Sequence, residues 1–317
     1  MGPSSLPPSR VGVRLASAPM DVTLLGPQRR VAGARTAVAE LIPEGPVATV
    51  NAGWRERETD TAELDAVLGG RMVNLELYRR GQQLIETDPA YADAERRLLG
   101  DLEELRRAYQ LRLRHGLAAV RAVSQRVANE PVRAAALVDA VSGVRALDAW
   151  HVARSTERRH AFYAEVGLGE RPSVVEHREA IARLVADSAG LVVAGGHVGV
   201  LLHLLHVFGV ARLLRPPVIA WSAGAMALSP RVVLYGDHAP YGHPDPEVYA
   251  EGLGAYAHAV PFPHARRRLR LADTEHIGLL AARLGPYPAL RLDDGVRLDL
   301  VDGQPLPEQA ALLGAAS

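Results

Sequence analysis

The chain has 317 residues, 48% of them hydrophobic and 23% charged, enough to bury a large core, and its 36 basic residues are cancelled by 36 acidic ones. That neutrality argues against nucleic acid or an anionic membrane as a partner, and no apolar run approaches the roughly 20 residues needed to span a bilayer. There is no cysteine and every basic residue is Arg, which excludes disulfides, thiolate metal sites, a Cys nucleophile, Schiff-base chemistry and a P-loop lysine.

The opening Met-Gly-Pro-Ser-Ser-Leu-Pro-Pro lacks the apolar stretch of a secretion signal, so residues 1–20 are expected to be a disordered tail and the cytoplasm the location. A β-run at 22–25 is followed by an amphipathic stretch at 30–41 and a second β-run at 47–50. That run ends in Asn51-Ala-Gly53-Trp54-Arg-Glu-Arg-Glu58, a polar tip at the carboxyl end, where open α/β sheets place ligands. Trp54 has two readings there, part of a salt-bridged helix start or a stacking surface in a cleft. The run 72–77 is either strand or helix start.

From about residue 80 to 166 the pattern is helical. Asp88-Pro89 is a helix start, with an N-cap residue followed by proline. Leu98, Leu102, Leu105, Tyr109 and Leu113 recur at helical spacing, and Asn129-Glu130-Pro131 separates a second helix running through Trp150 to about Tyr163. The spacing predicts a long helical hairpin inserted into an α/β domain that spans 21–301, with 302–317 as a C-terminal tail. Either the hairpin packs on the core, or it protrudes as an arm, in which case a second uncovered apolar stripe pairs between chains in a homodimer.

Alternation of strand and helix resumes at Ser173, where Ser173-Val-Val-Glu176 reads as a capping box. Strands are expected at 191–194, 218–221, 232–234, 256–260, 290–292 and 296–300, with helix at 198–214. Continuous apolar strands separated by amphipathic helices predict an α/β fold with a doubly wound, mainly parallel sheet.

The chemistry concentrates at Pro217-Val-Ile-Ala220-Trp-Ser222-Ala223-Gly-Ala-Met226. A buried strand runs directly into Ser, and small residues then open a helix. Such an elbow exposes the hydroxyl above the sheet edge, and the helix N-terminus supplies N–H groups and positive dipole for an oxyanion. A simpler reading makes Ser222 a helix cap. Upstream, Ala194-Gly195-Gly196-His197 ends the preceding strand, where backbone N–H groups could complete an oxyanion hole.

Together these segments resemble the peptidase family of cyanophycinase and dipeptidase E, which has the class I glutamine amidotransferase-like fold with Ser replacing Cys. The resemblance continues in Gly252-Leu253-Gly254, in His264-Ala-Arg-Arg-Arg268-Leu-Arg270-Leu, and in Leu290-Arg-Leu-Asp293-Asp294. It does not cover the helical insertion. It implies Ser222 as nucleophile, His264 as general base and Asp294 (or Asp293) as the acid orienting the imidazole. It further implies Gly196 and Ala223 as oxyanion donors, with His197, Arg268 and Arg270 on the substrate side. The sequence departs from the family pattern at Ala220, where Gly is usual, at His197-Val198, at Pro263, and in having Asp rather than Glu as the acid.

His238, His243, His258 and His264 share a segment with Asp237, Asp245 and Glu247, but their spacing fits no compact metal motif. Neither a metal nor a cofactor is expected, and 237–251 reads as a long loop walling the cleft. The arginines at 266–270 are either a solvated helix face or, at Arg268 and Arg270, a clamp for a substrate carboxylate. The expected activity is hydrolysis of a small peptide or amino-acid conjugate through an acyl-Ser222 intermediate. The rival is a non-catalytic protein of the same fold that binds a partner through its helical insertion.

Overall fold

The computed structural model describes residues 20–28, 33–237, 245–257 and 259–314. In chain order it contains β1 (Val22–Leu25), α1 (Gly33–Leu41), β2 (Val47–Val50), a 3-10 segment (Ala52–Arg57), α2 (Ala62–Val67), β3 (Met72–Asn74), α3 (Leu77–Thr87), α4 (Pro89–Arg126) and α5 (Glu130–Glu165). There follow α6 (Pro172–Ala186), β4 (Gly190–Val193), α7 (Val198–Val207), a short 3-10 turn (Val210–Arg212), β5 (Val218–Trp221) and α8 (Ala223–Leu228). The chain continues through β6 (Arg231–Leu234), β7 (Glu247–Glu251), β8 (Val260–Pro263), α9 (Ala265–Arg268), α10 (Thr274–Leu284), β9 (Ala289–Leu292) and β10 (Arg297–Leu300).

Six strands form the central sheet in the order β10-β1-β5-β4-β2-β3, parallel throughout except for the antiparallel edge strand β10. Its strands are buried on both sides, and their period-2 alternation sorts residues between two cores. Leu24, Ala48, Leu191, Val193, Val218 and Ala220 face the larger one, while Leu25, Val47, Val192, Ile219 and Trp221 face the side covered by α1 and α2. The protein is therefore α/β with a mostly parallel central sheet and long helices, an arrangement compatible with a doubly wound fold. Among the described residues no helix is long and apolar enough to cross a membrane.

Not every expected strand joins that sheet. The run expected at 256–260 forms at Val260–Pro263 instead, and β8 pairs only with β9, in parallel. Pro261 and Pro263 have no N–H, so β8 can donate hydrogen bonds along one edge alone. The helix expected over 198–214 ends at Val207, where Gly209 takes φ 66°. The capping box at Ser173 does not form. Arg171 is the N-cap of α6, and Ser173 Oγ donates instead to Asp88 Oδ2 at 2.9 Å. Asp88 is itself the N-cap of α4, accepting from Tyr91 N, and it pairs with Arg171, which holds its carboxyl well below the usual range. One carboxylate thus ties the starts of two helices together.

The helical hairpin is present, α4 running 38 residues, about 57 Å, and α5 36 residues. It packs on the α/β body rather than standing away from it. Tyr109, Leu113, Leu117, Val120, Val144 and Leu147 close an apolar seam between the two helices. Below that seam lies a buried polar knot. Arg283 of α10 donates from Nε and Nη2 to the two Asp148 oxygens at 2.6 Å each, and from Nη2 to Tyr109 Oη at 2.8 Å. Tyr109 Oη donates to Asp148 Oδ1 at 2.6 Å and accepts from Val248 N of β7 at 3.0 Å. The insertion is thereby fastened to β7 and α10.

The two expected tails fare differently. Residues 1–19 lie outside the described residues, whereas the segment taken as a C-terminal tail is partly ordered against β9. Leu313 is buried and donates to Ala289 O, Arg291 N donates to Ala311 O, and Leu312 bridges Leu290.

Candidate active site

The carboxyl ends of β4 and β5 open into a cleft of about 990 Å³, which both Gly196 and Ser222 line. At the end of β5 the chain turns at Ser222 with φ 51° and ψ −122°, a conformation that non-glycine residues adopt only under constraint. The turn is sharp because α8 starts at the very next residue and is pressed against β4. A Cβ on Gly224 would sit 2.1 Å from Val193 O, so only glycine allows that approach. The Ala223 N–H opens α8 and has no carbonyl one turn earlier to receive it.

Over this elbow lies the Gly195-Gly196 turn. Gly196 has φ 119°, and a Cβ on it would meet Gly53 C at 2.3 Å. His197 N donates to Gly53 O at 2.7 Å, so two glycine turns, at the ends of β2 and β4, are locked backbone to backbone. A Cβ built on Gly195 would lie 2.9 Å from Ser222 Cβ and 3.6 Å from its Oγ. The Gly196 N–H has no acceptor among the described residues. The elbow therefore sets the Ser222 hydroxyl next to the Ala223 N–H and close against the Gly195-Gly196 turn, where backbone N–H groups are the donors an oxyanion would need.

His264 lines the same cleft from the end of β8, with φ 58° and ψ 34°. Its N–H donates to Leu292 O at 3.2 Å, which brings the ends of β8 and β9 side by side. Partial burial lowers the His264 pKa below the ordinary histidine value, and the nearby charge of Arg268 lowers it further, against an opposing pull from Asp294. Burial and the Arg268 charge thus both disfavour the imidazolium form. No hydrogen bond joins Ser222 Oγ to His264, or His264 to either aspartate, among the described residues. In unliganded sites such contacts are commonly long and tighten around substrate.

The two candidate acids differ. Asp293 is buried and occupied, accepting from Arg266 N at 2.8 Å and from Arg291 Nη2 at 3.2 Å. Asp294 is exposed, and of the two it exerts the larger pull on His264.

The substrate-side residues divide. Arg268 lines the cleft, its guanidinium 5.9 Å from the Tyr235 ring centroid. Arg270 and His197 do not. Helix α9 is a single turn that ends at buried, extended Leu269, sending Arg270 to the far side, where its N–H donates to Asp237 Oδ2 and its Nη2 to Asp237 O. His197 turns back to cap α7, its Nδ1 accepting from Val200 N at 3.2 Å. Trp54 lines the cleft and also packs on the α1–α2 core.

Asp245 and Glu247 wall the cleft, as expected of that segment, but it is not loop to its end, since Glu247–Glu251 forms β7, held antiparallel to β6; His238, His243 and His258 lie outside the described residues. Among the described residues no group of His, Asp and Glu is arranged to hold a metal. Two participants were not anticipated. Gly53, which pins the glycine turn, stood in the sequence as part of a polar tip. Arg106 belongs to the insertion helix α4 and also reaches the cleft. Neither a scan of protein-family models nor a search of curated proteins finds a match to this chain.

Proposed function

We propose that the chain is a serine hydrolase of the class I glutamine amidotransferase-like fold, cleaving a peptide or amide bond of a small peptide or amino-acid conjugate. The observation that carries the reading is the strained Ser222 backbone at a strand-to-helix elbow, beside the Gly195-Gly196 turn and facing His264 across one cleft. A helix cap gains nothing from φ 51°, and Ser222 makes no side-chain cap hydrogen bond. In the proposed reaction His264 takes the Ser222 proton as Oγ attacks the substrate carbonyl. Gly196 and Ala223 N–H groups hold the oxyanion, and His264 returns the proton to the leaving amine. Water, deprotonated by the same imidazole, then releases the acyl group from Ser222. Asp294 stabilises the imidazolium, the role of the acid in a triad.

A neutral fluorophosphonate tests the nucleophile directly. The wild-type chain should be labelled, and both Ser222→Ala and His264→Ala should lose labelling while retaining the fold. Equal labelling of Ser222→Ala would refute the assignment. Exposed Leu99, Leu111, Val132 and Val138 on the hairpin favour a second reading, an interaction module working through the insertion. An unlabelled wild type that assembles through those residues would support it.

A further inference from the structure

We infer that Arg106, carried into the cleft by the helical insertion, is a specificity-determining residue and that the group it takes is a carboxylate of the substrate; the word substrate here rests on the hydrolase reading above. Arg106 is half-buried, and its guanidinium is fixed by Glu247, whose side chain is only 5% exposed. Nε donates to Glu247 Oε1 at 3.1 Å and Nη2 donates to the same oxygen, while Gln110 Nε2 takes Oε2 at 2.8 Å. The guanidinium also lies 5.9 Å from the Tyr249 ring centroid.

Both bonds to Glu247 are made from one side of the fork. Of the five N–H donors in a guanidinium, three remain without a partner among the described residues, and two of these, one on each Nη, form the end of the fork. That end matches two carboxylate oxygens. A side chain held in one orientation, with a free donor edge in a cleft, is built to bind an anion rather than to complete the fold.

The position is also the right one. Tyr249, on which Arg106 rests, places its hydroxyl where a Cβ on Gly199 would be 2.8 Å away, at the start of α7 just behind the Gly195-Gly196 turn. Arg106 therefore stands on the oxyanion side of Ser222, and Arg268 comes from the His264 side. Arg106 and Arg268 thus line one cleft with Ser222 while coming from different elements, α4 and α9.

Calorimetric titration of the full chain with glutarate, and with uncharged glutaramide as control, tests this. Glutarate should bind the wild type and glutaramide should not. Removing Arg106 alone strands the buried Glu247 charge and endangers the fold, so the informative variant is Arg106→Gln/Glu247→Gln, which keeps a hydrogen-bonded neutral pair. It should bind glutarate at least about tenfold more weakly. Glu247→Gln alone should bind glutarate more tightly, because it removes the competing carboxylate and keeps the side chain's shape. A purely structural Arg106 predicts no such gain. N-acetylglycine, a mimic of a peptide carboxyl terminus, and glutarate, a mimic of an acidic side chain, distinguish the carboxylate's source, and preference for either supports the inference. Equal binding of glutarate and glutaramide, binding of neither glutarate nor N-acetylglycine to the wild type, or an unaffected double variant would overturn it. Fluorophosphonate labelling separates the two claims. Labelling with Arg106-independent glutarate binding sinks this inference alone, whereas Arg106-dependent binding without labelling sinks the hydrolase reading alone.

Discussion

Replacing Asp148 by Ala should be among the most damaging substitutions outside the cleft. Asp148 and Arg283 have side chains 9% and 3% exposed, and two hydrogen bonds join them. Without Asp148, Arg283 keeps Tyr109 Oη and Pro246 O as acceptors but loses the anion that offsets its desolvation. Breaking a buried pair from one side costs about 3–5 kcal/mol. At about 2 °C per kcal/mol for a chain of this size, the melting midpoint should fall by roughly 6–10 °C. Asp148→Leu combined with Arg283→Met leaves no stranded charge and should recover most of the loss, as hydrophobic replacement of a buried pair often does. Scanning calorimetry on the wild type, Asp148→Leu, Arg283→Met and their combination supplies the full cycle, with Asp148→Ala measured beside it. A fall below 2 °C for Asp148→Ala, or a double variant as unstable as the singles, would refute this account of the knot.

The acidic limb of kcat/KM should lie below the ordinary histidine value of about 6.5, because burial and Arg268 both disfavour His264 protonation. Arg268→Met should move that limb upward, and a pH–rate profile with no such movement would remove Arg268 from the base's surroundings. Gly196→Ala should slow fluorophosphonate labelling by about 100-fold or more, since its Cβ drives into Gly53 and misaligns an oxyanion donor; unchanged labelling would contradict that geometry. His206 is buried, and burial first, then the charge of Arg159, pushes its pKa down to about 3. Its folded value lies below its unfolded one, so the stability it contributes is present above about pH 6.5 and is lost as the pH falls toward 3. Urea midpoints should therefore fall less steeply with acid in His206→Leu than in the wild type, and parallel profiles would count against the assignment.

Where one short segment decided the outcome, the sequence was legible. Strands β1, β2 and β5 form where continuous apolar runs announce them, since burial on both faces leaves little room for another reading. The hairpin was legible at its starts, because Asp88 and Asn129 each precede a proline-containing first turn and each accepts from the N–H three residues on. Ser222 stood out for the same local reason. Legibility failed where distant segments compete. Ser173 carries a capping signal, but Asp88, distant in sequence, takes its hydroxyl. Arg270 follows the spacing of an arginine clamp, yet one buried leucine rotates it away. Nothing in the spacing of Arg106 tells it apart from its neighbours on α4, because its role depends on where β7 is laid against that helix.

The fastening of β7 to the inserted helices divides the protein's labour in an unusual way. The hydroxyl, the imidazole and the glycine turns hang from strand ends of the α/β body, whereas Glu247, Asp245 and Arg106 belong to a wall braced by the hairpin. On the function proposed above, chemistry and selectivity sit on separately encoded parts. Substitutions along one face of α4 can retune what the cleft admits while the reacting groups stay untouched. The same bracing sets a boundary on such change, because Tyr109, Asp148 and Arg283 join the wall to the hairpin and a change that leaves one of them stranded loosens it. New preferences are then expected to arise by altering side chains on the hairpin rather than by losing it.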